Sequence, residues 1–430
     1  MMKSDLLHHK YLIFGSIALT VFFIVMSLLF IATKSNFMVD EEYSYLLAAG
    51  KISNYYGITH DRKYPYGKLV DIAKYKELLK PDKAFIFKKI AYDSAFFDIH
   101  PPLYNWLLHL WIIMCGGIVH LWSGGVLNLI LCIFIIALLY KFAFDFFQSC
   151  EDAIFCVLLF GLSPLVFHAI NLARSHTLLA FIVLLSNCYL LKLIQQDRLS
   201  RICSILLFSL LVCLGLLSNY LFLAMCLAWM IFIVIYYWKR KVIILYFILA
   251  LIIGSLLFFN MFSIFFANFN NYNSIVLHAT ALPEFRDLYQ ISPAMKIANI
   301  FFGKFGFLGD FLCSVFKFLS LPGLLLRYSL AGIVLLFFAR CAWGLRRDKN
   351  SYFILFMFFL PLLFMLVSFL SKRCLPWVFT EKYFFYILPF FCIALVHYLR
   401  TRFLGSRRII LIFMCSMMFF FFRLQSHWVI

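Results

Sequence analysis

Apolar runs follow one another along this chain, each of roughly 17 to 25 residues and so long enough to cross a bilayer, and only short polar stretches separate most of them. One polar excursion is much longer. After a first apolar run at 11–32, residues 34–100 mix charged, aromatic and aliphatic positions without a further span-length run. Within them, Asp40 to Ala49 followed by Gly50 predicts a short helix, because carboxylates suit a first turn and glycine suits a stop. Lys74 to Leu79, ahead of Pro81, predicts another. The later apolar runs predict spans at 122–145, 153–171, 176–194, 202–218, 220–238, 242–267, 320–343, 352–371, 384–399 and 409–424. With the first run, that makes about eleven crossings.

Composition agrees with the pattern. Of 430 residues 65% are hydrophobic and only 13% charged, and the mean hydropathy of +0.95 excludes an ordinary soluble domain. The expected fold is all-α, a polytopic single transmembrane domain over 1–430 with a long first extracytoplasmic loop containing juxtamembrane helices. A net charge of +19 would suggest nucleic acid in a soluble protein, but here Lys239-Arg240-Lys241, Arg346-Arg347 and Arg407-Arg408 lie in short loops between spans. That is the positive-inside pattern of a membrane protein.

The same rule decides how 103–121 is read. Were this apolar, aromatic stretch to cross along with 122–145, every later basic loop would fall outside, so it is expected to be an interfacial or re-entrant helix. The outer side then receives the first loop, 34–121, the turn at Asn171 to His176, a second large segment at 268–319, the loop 372–383 and the C-terminus. The inner loops are short and basic, with no glycine-rich phosphate loop and no room for a nucleotide-binding domain. The N-terminal run lacks a small-residue cleavage site and is expected to remain as an uncleaved first span. The 13 cysteines are dispersed, with no CxxC pair and no zinc-ligand spacing, and no histidine pair has HExxH spacing. No metal ligands are assigned, although acidic loop residues leave a divalent cation open as a cofactor.

Chemistry concentrates on the outer side. Asp40, Glu41 and Glu42 stand just beyond the first span, either as helix-start acids or as a base able to take a proton from an acceptor hydroxyl. In Asp98-Ile99-His100-Pro101-Pro102-Leu103-Tyr104 the prolines stiffen the backbone that presents Asp98 and His100, or else merely punctuate a helix start. Arg174 is a positive charge on the side where cations are depleted, and its planar fork suits a phosphate.

In this order, these residues resemble the GT-C superfamily of membrane glycosyltransferases, in particular the branch of protein O-mannosyltransferases, lipid A aminoarabinose transferases and RgtA-like enzymes. Asp40-Glu41 is similar to the Asp-Glu that opens the family's first outer loop, and 98–104 to its D-x-H-P-P-L-Y pattern. Ser163-Pro164 with Ala173-Arg174-Ser175-His176-Thr177-Leu178-Leu179 resembles a later S-P…A-R-x-Y-x-L-L stretch, and Lys382-Tyr383 to Pro389 a terminal R-Y…L-P element. Two positions depart: Asn128 stands where many relatives carry an arginine, and His176 where they carry tyrosine.

The resemblance implies transfer of a sugar from a polyprenyl-phosphate donor to an envelope glycolipid, glycan or protein, in a bacterial inner membrane with the active site extracytoplasmic. It implies Asp40, Glu41 and Asp98 as catalytic, and His100, Tyr104, Arg174, His176, Lys382 and Tyr383 as substrate-binding. A lipid or sugar flippase or transporter is the alternative, and it predicts ionisable residues at span midpoints, in which these spans are poor. An envelope scaffold would leave the clustered outer carboxylates without a purpose.

Overall fold

A computed structural model describes residues 20–53, 77–98, 100–196, 202–265, 353–354, 356–358, 360–361 and 385–402. The expected segment 268–319, the spans at 320–343 and 409–424, most of the span at 352–371, and Lys382 and Tyr383 lie outside them. Among the described residues the regular structure is helical, without strands. The helices are α1 (Thr20–Ala32), α2 (Val39–Ala48), α3 (Phe87–Phe97), α4 (Leu103–Met114), α5 (Ser123–Phe147), α6 (Cys150–Gly161), α7 (Pro164–Asn171), α8 (His176–Gln195), α9 (Ile202–Ser218), α10 (Phe222–Tyr236), α11 (Lys241–Met261) and α12 (Leu388–Arg402).

Three of these, α5, α8 and α11, are long and apolar enough to cross a membrane, and the pair α6–α7 makes up to four. That pair falls at the expected span 153–171, and its two halves meet at 57°. A proline, Pro164, opens α7 at the junction and has no N–H to donate to a continuing helix. Along α11 most of the surface faces outward, and Leu245, Leu249, Ile252 and Leu256 are exposed. An uncovered apolar face of that size belongs in lipid, and the protein is an integral membrane protein.

The chain divides into two compact units. One comprises Met1–Ser27, Ile133–His168 and Ile291–Ile430. Within it Phe390 of α12 meets Phe142 edge to face at 6.1 Å, and Arg400 bonds both Asp152 (3.2 Å) and the Phe147 carbonyl (3.0 Å).

The other unit comprises Leu28–Cys132 and Ala169–Gln290. Here Phe208 of α9 contacts Trp229 of α10 at 5.3 Å and Phe247 of α11 at 5.4 Å. The Trp229 indole donates to Asn187 of α8 at 2.9 Å, which satisfies both polar groups in an apolar setting. Helix α2 starts with Asp40, Glu41 and Glu42, and Gly50 behind it adopts φ +66°, the left-handed conformation that ends a helix. Tyr45 to Ala49 are buried beneath α4. The His109 ring of α4 donates from Nδ1 to the Ala48 carbonyl at 2.7 Å, closing an acceptor left open at the end of α2. At 12 residues α4 is about 18 Å long, too short to cross the roughly 30 Å of a bilayer core alone.

Candidate active site

Three places distant in sequence supply the charged cluster of the second unit: the start of α2, the end of α3, and the turn between α7 and α8. Asp98 is the residue at which α3 stops, and its extended backbone (φ −134°, ψ 163°) sends the chain on towards His100 and the two prolines. Its Oδ1 accepts from His100 Nδ1 at 2.9 Å, and its Oδ2 from Arg174 Nη1 at 3.2 Å. The other arm of the guanidinium, Nη2, lies 3.7 Å from Asp40 Oδ1. One arginine thus joins carboxylates from the two ends of the long loop. Asp98 and Arg174 are at most 9% exposed, whereas the Asp40 side chain is 44% exposed, so Asp40 is the open carboxylate of the group.

His176 opens α8, and its ring lies edge-on to that of His100 at 6.5 Å. Next to it Ser175 accepts from Asn219 at 3.1 Å. Tyr220 follows Asn219 in the turn before α10.

Glu41 goes elsewhere. It is fully buried, with its carboxylate paired to Lys34 and accepting from the Met38 amide at 3.2 Å and from the Ala173 amide. Burial raises its pKa, and the Lys34 charge opposes the rise. Tyr104 too is buried, and its hydroxyl donates to Asn128 at 3.2 Å. In turn Asn128 Nδ2 reaches the carbonyls of Ala169, Ile170 and Leu172 at 3.2, 3.3 and 2.7 Å, the acceptors left open where α7 ends. Asn128, where the resemblance led to an expected arginine, binds backbone two residues short of Arg174.

Lys34, Asn219 and Tyr220 lie in none of the motifs above, and Asn128 enters them only as a departure. Lys34 carries the signal that singles out Arg174, a cation on the side that the charge rule depletes. Among the described residues no group of three or more His, Cys, Asp or Glu side chains is placed to hold a metal ion.

A half-open carboxylate beside a guanidinium can accept a proton from a hydroxyl while charge on a neighbouring leaving group is stabilised. The helical framework around it has a fold also found among solved structures. No family model and no curated protein matches the sequence. Among solved structures, ArnT from Cupriavidus metallidurans bound to undecaprenyl phosphate overlays with a TM-score of 0.52 at 13% identity, over 90% of this chain and 60% of that one. The oligosaccharyltransferase AglB from Archaeoglobus fulgidus, in complex with an inhibitory peptide and a dolichol-phosphate, overlays at 0.47 and 12%, over 92% of this chain and 54% of that one. The chain thus spans a little over half the length of these structures.

Proposed function

We propose that the protein is an inverting glycosyltransferase that moves a sugar from a polyprenyl-phosphate carrier to a hydroxyl of an envelope glycolipid, glycan or protein. The cluster of Asp40, Arg174 and Asp98 carries this reading, and the shared fold with a structure that binds undecaprenyl phosphate supports the lipid-linked donor. Asp40 removes the proton of the acceptor hydroxyl as its oxygen attacks the anomeric carbon. The bond from that carbon to the phosphate oxygen breaks on the opposite face, and its electron pair leaves with the polyprenyl phosphate. Arg174 stabilises the charge that grows on the phosphate, while Asp98, itself braced by His100, holds the guanidinium in place. Lys382 and Tyr383 belong to the proposal as further donor contacts. The reaction takes place at the extracytoplasmic face of a bacterial inner membrane, since the donor arrives laterally through the bilayer and the short basic loops remain inside.

The test uses the full chain in nanodiscs with a panel of undecaprenyl-phosphate-linked labelled sugars and an envelope extract as acceptor. Transfer with inversion at the anomeric carbon is expected, and Asp40→Asn is expected to lower the rate by about 10²-fold or more. Wild-type rates in Asp40→Asn would remove the proposed base, and retention of configuration would remove the single displacement.

A further inference from the structure

Lys34 lies in no motif, yet it stands where the two halves of the site are joined. Its buried ammonium donates to Glu41 on α2 and, at 2.8 Å, to the Asn171 carbonyl at the end of α7. The Asn171 side chain answers by donating to the Phe30 carbonyl of α1 at 3.3 Å. The Glu41 carboxylate meanwhile accepts the Ala173 amide, and near it the Tyr45 hydroxyl accepts the Gly124 amide at 2.8 Å. The residues held in this way, 41 and 173, are the immediate neighbours of Asp40 and Arg174.

We propose that Lys34 is a positioning residue: by tying Glu41 to the 171–173 backbone it sets the distance between Asp40 and Arg174. The chemistry that this spacing serves rests on the proposed function, but the tie itself does not. An apolar side chain of equal length can make neither bond. A buried ion pair adds little net stability over an apolar or neutral replacement, because desolvation of the two ions offsets their attraction, so its main consequence here is geometry.

The experiment compares wild-type protein with Lys34→Arg, Lys34→Met and the double variant Lys34→Met/Glu41→Gln, all as full chains in nanodiscs. The double variant leaves no unpaired buried charge and retains an acceptor for the Ala173 amide, so it isolates the loss of the tie to residue 171. Two readouts are taken: amide hydrogen exchange in peptides covering 169–175 and 103–114, and transfer kinetics. In the double variant, exchange at 169–175 is expected to rise about tenfold with 103–114 unchanged. The kcat is expected to fall on the order of 10²-fold with the donor KM unaltered, as a misplaced reacting group would cause. Lys34→Arg, which keeps both bonds within reach, is expected to stay near wild type in both readouts. Unchanged exchange at 169–175 in the double variant overturns the proposal, and so does an equal rise in both peptides, which signals general loosening. If the wild-type protein transfers no sugar from any donor, the proposed function fails, and the exchange readout still decides the role of Lys34.

Discussion

Replacement of Arg174 by glutamine perturbs a side chain that reaches carboxylates from both ends of the long loop. The guanidinium is 3.2 Å from Asp98, which is 8% exposed, and 3.7 Å from Asp40, which is 44% exposed. Loss of one member of a buried pair costs about 3–5 kcal/mol, because a charge is left behind without compensation. Asp98 keeps His100 at 2.9 Å, so the lower figure, about 3 kcal/mol, applies to it. The exposed Asp40 contact adds about 0–1 kcal/mol. Loss of a group that stabilises charge at the transition state lowers kcat by a further factor of about 10²–10³. Arg174→Lys keeps the charge near Asp98 but cannot span two carboxylates, so it should lose only the Asp40 part of the stability and an intermediate part of the rate. Thermal unfolding in detergent measures the first quantity and single-turnover transfer the second. The reasoning is refuted if Arg174→Gln melts with the wild type, for the pair would then hold nothing, or if it turns over at the wild-type rate.

Two further variants probe the same unit. Asp93 is buried, its Oδ2 meets no hydrogen-bond donor, and burial lifts its pKa to about 6 against the pull of Lys89. The folded state therefore holds this proton more tightly than the unfolded chain does, so its contribution to stability falls as pH rises from the ordinary carboxyl range to about 6 and is level above that. Asp93→Asn is expected to raise the melting temperature near neutral pH, by on the order of 2 kcal/mol in stability, and to have little effect at about pH 4; an equal shift at both pH values would disprove it. Gly124→Ala places a methyl group against Ala173 and 2.8 Å from the Tyr45 hydroxyl. Overpacking there costs about 1–3 kcal/mol and pushes on the backbone that carries Arg174, so activity should fall more steeply than stability. At Gly125→Ala the nearest atoms belong to the Ile31 side chain, at 3.0 Å and beyond, so this variant is the mild control, and equal effects from the two would refute the prediction.

Helices α8 and α9 could be read from apolar run length almost to the residue, at 176–195 and 202–218, because in lipid every backbone polar group must be satisfied within its own helix. The break at Pro164 escaped the same reading, since hydropathy averaged over a window does not register a 57° bend. Asp40 and Glu41 show a second limit. Successive residues of a helix point about 100° apart, so one carboxylate turns towards Arg174 and water and the other into the protein towards Lys34. No composition rule separates two adjacent acids, and only the packing around α2 shows which of them is open. Tyr104 and Asn128 are 24 positions apart, and nothing local marks them as partners.

The charge rule was more informative than its first use suggested. It singles out Arg174 as a cation on the depleted side, and the same logic applies to Lys34. Both cations are buried, and a buried cation must bring an anion with it. Arg174 has Asp98, and Lys34 has Glu41. In a chain this poor in charge, a buried basic residue on the depleted side therefore points to a particular acid. Arg174 also reaches Asp40, the neighbour of Glu41, so the two pairs meet at the start of α2.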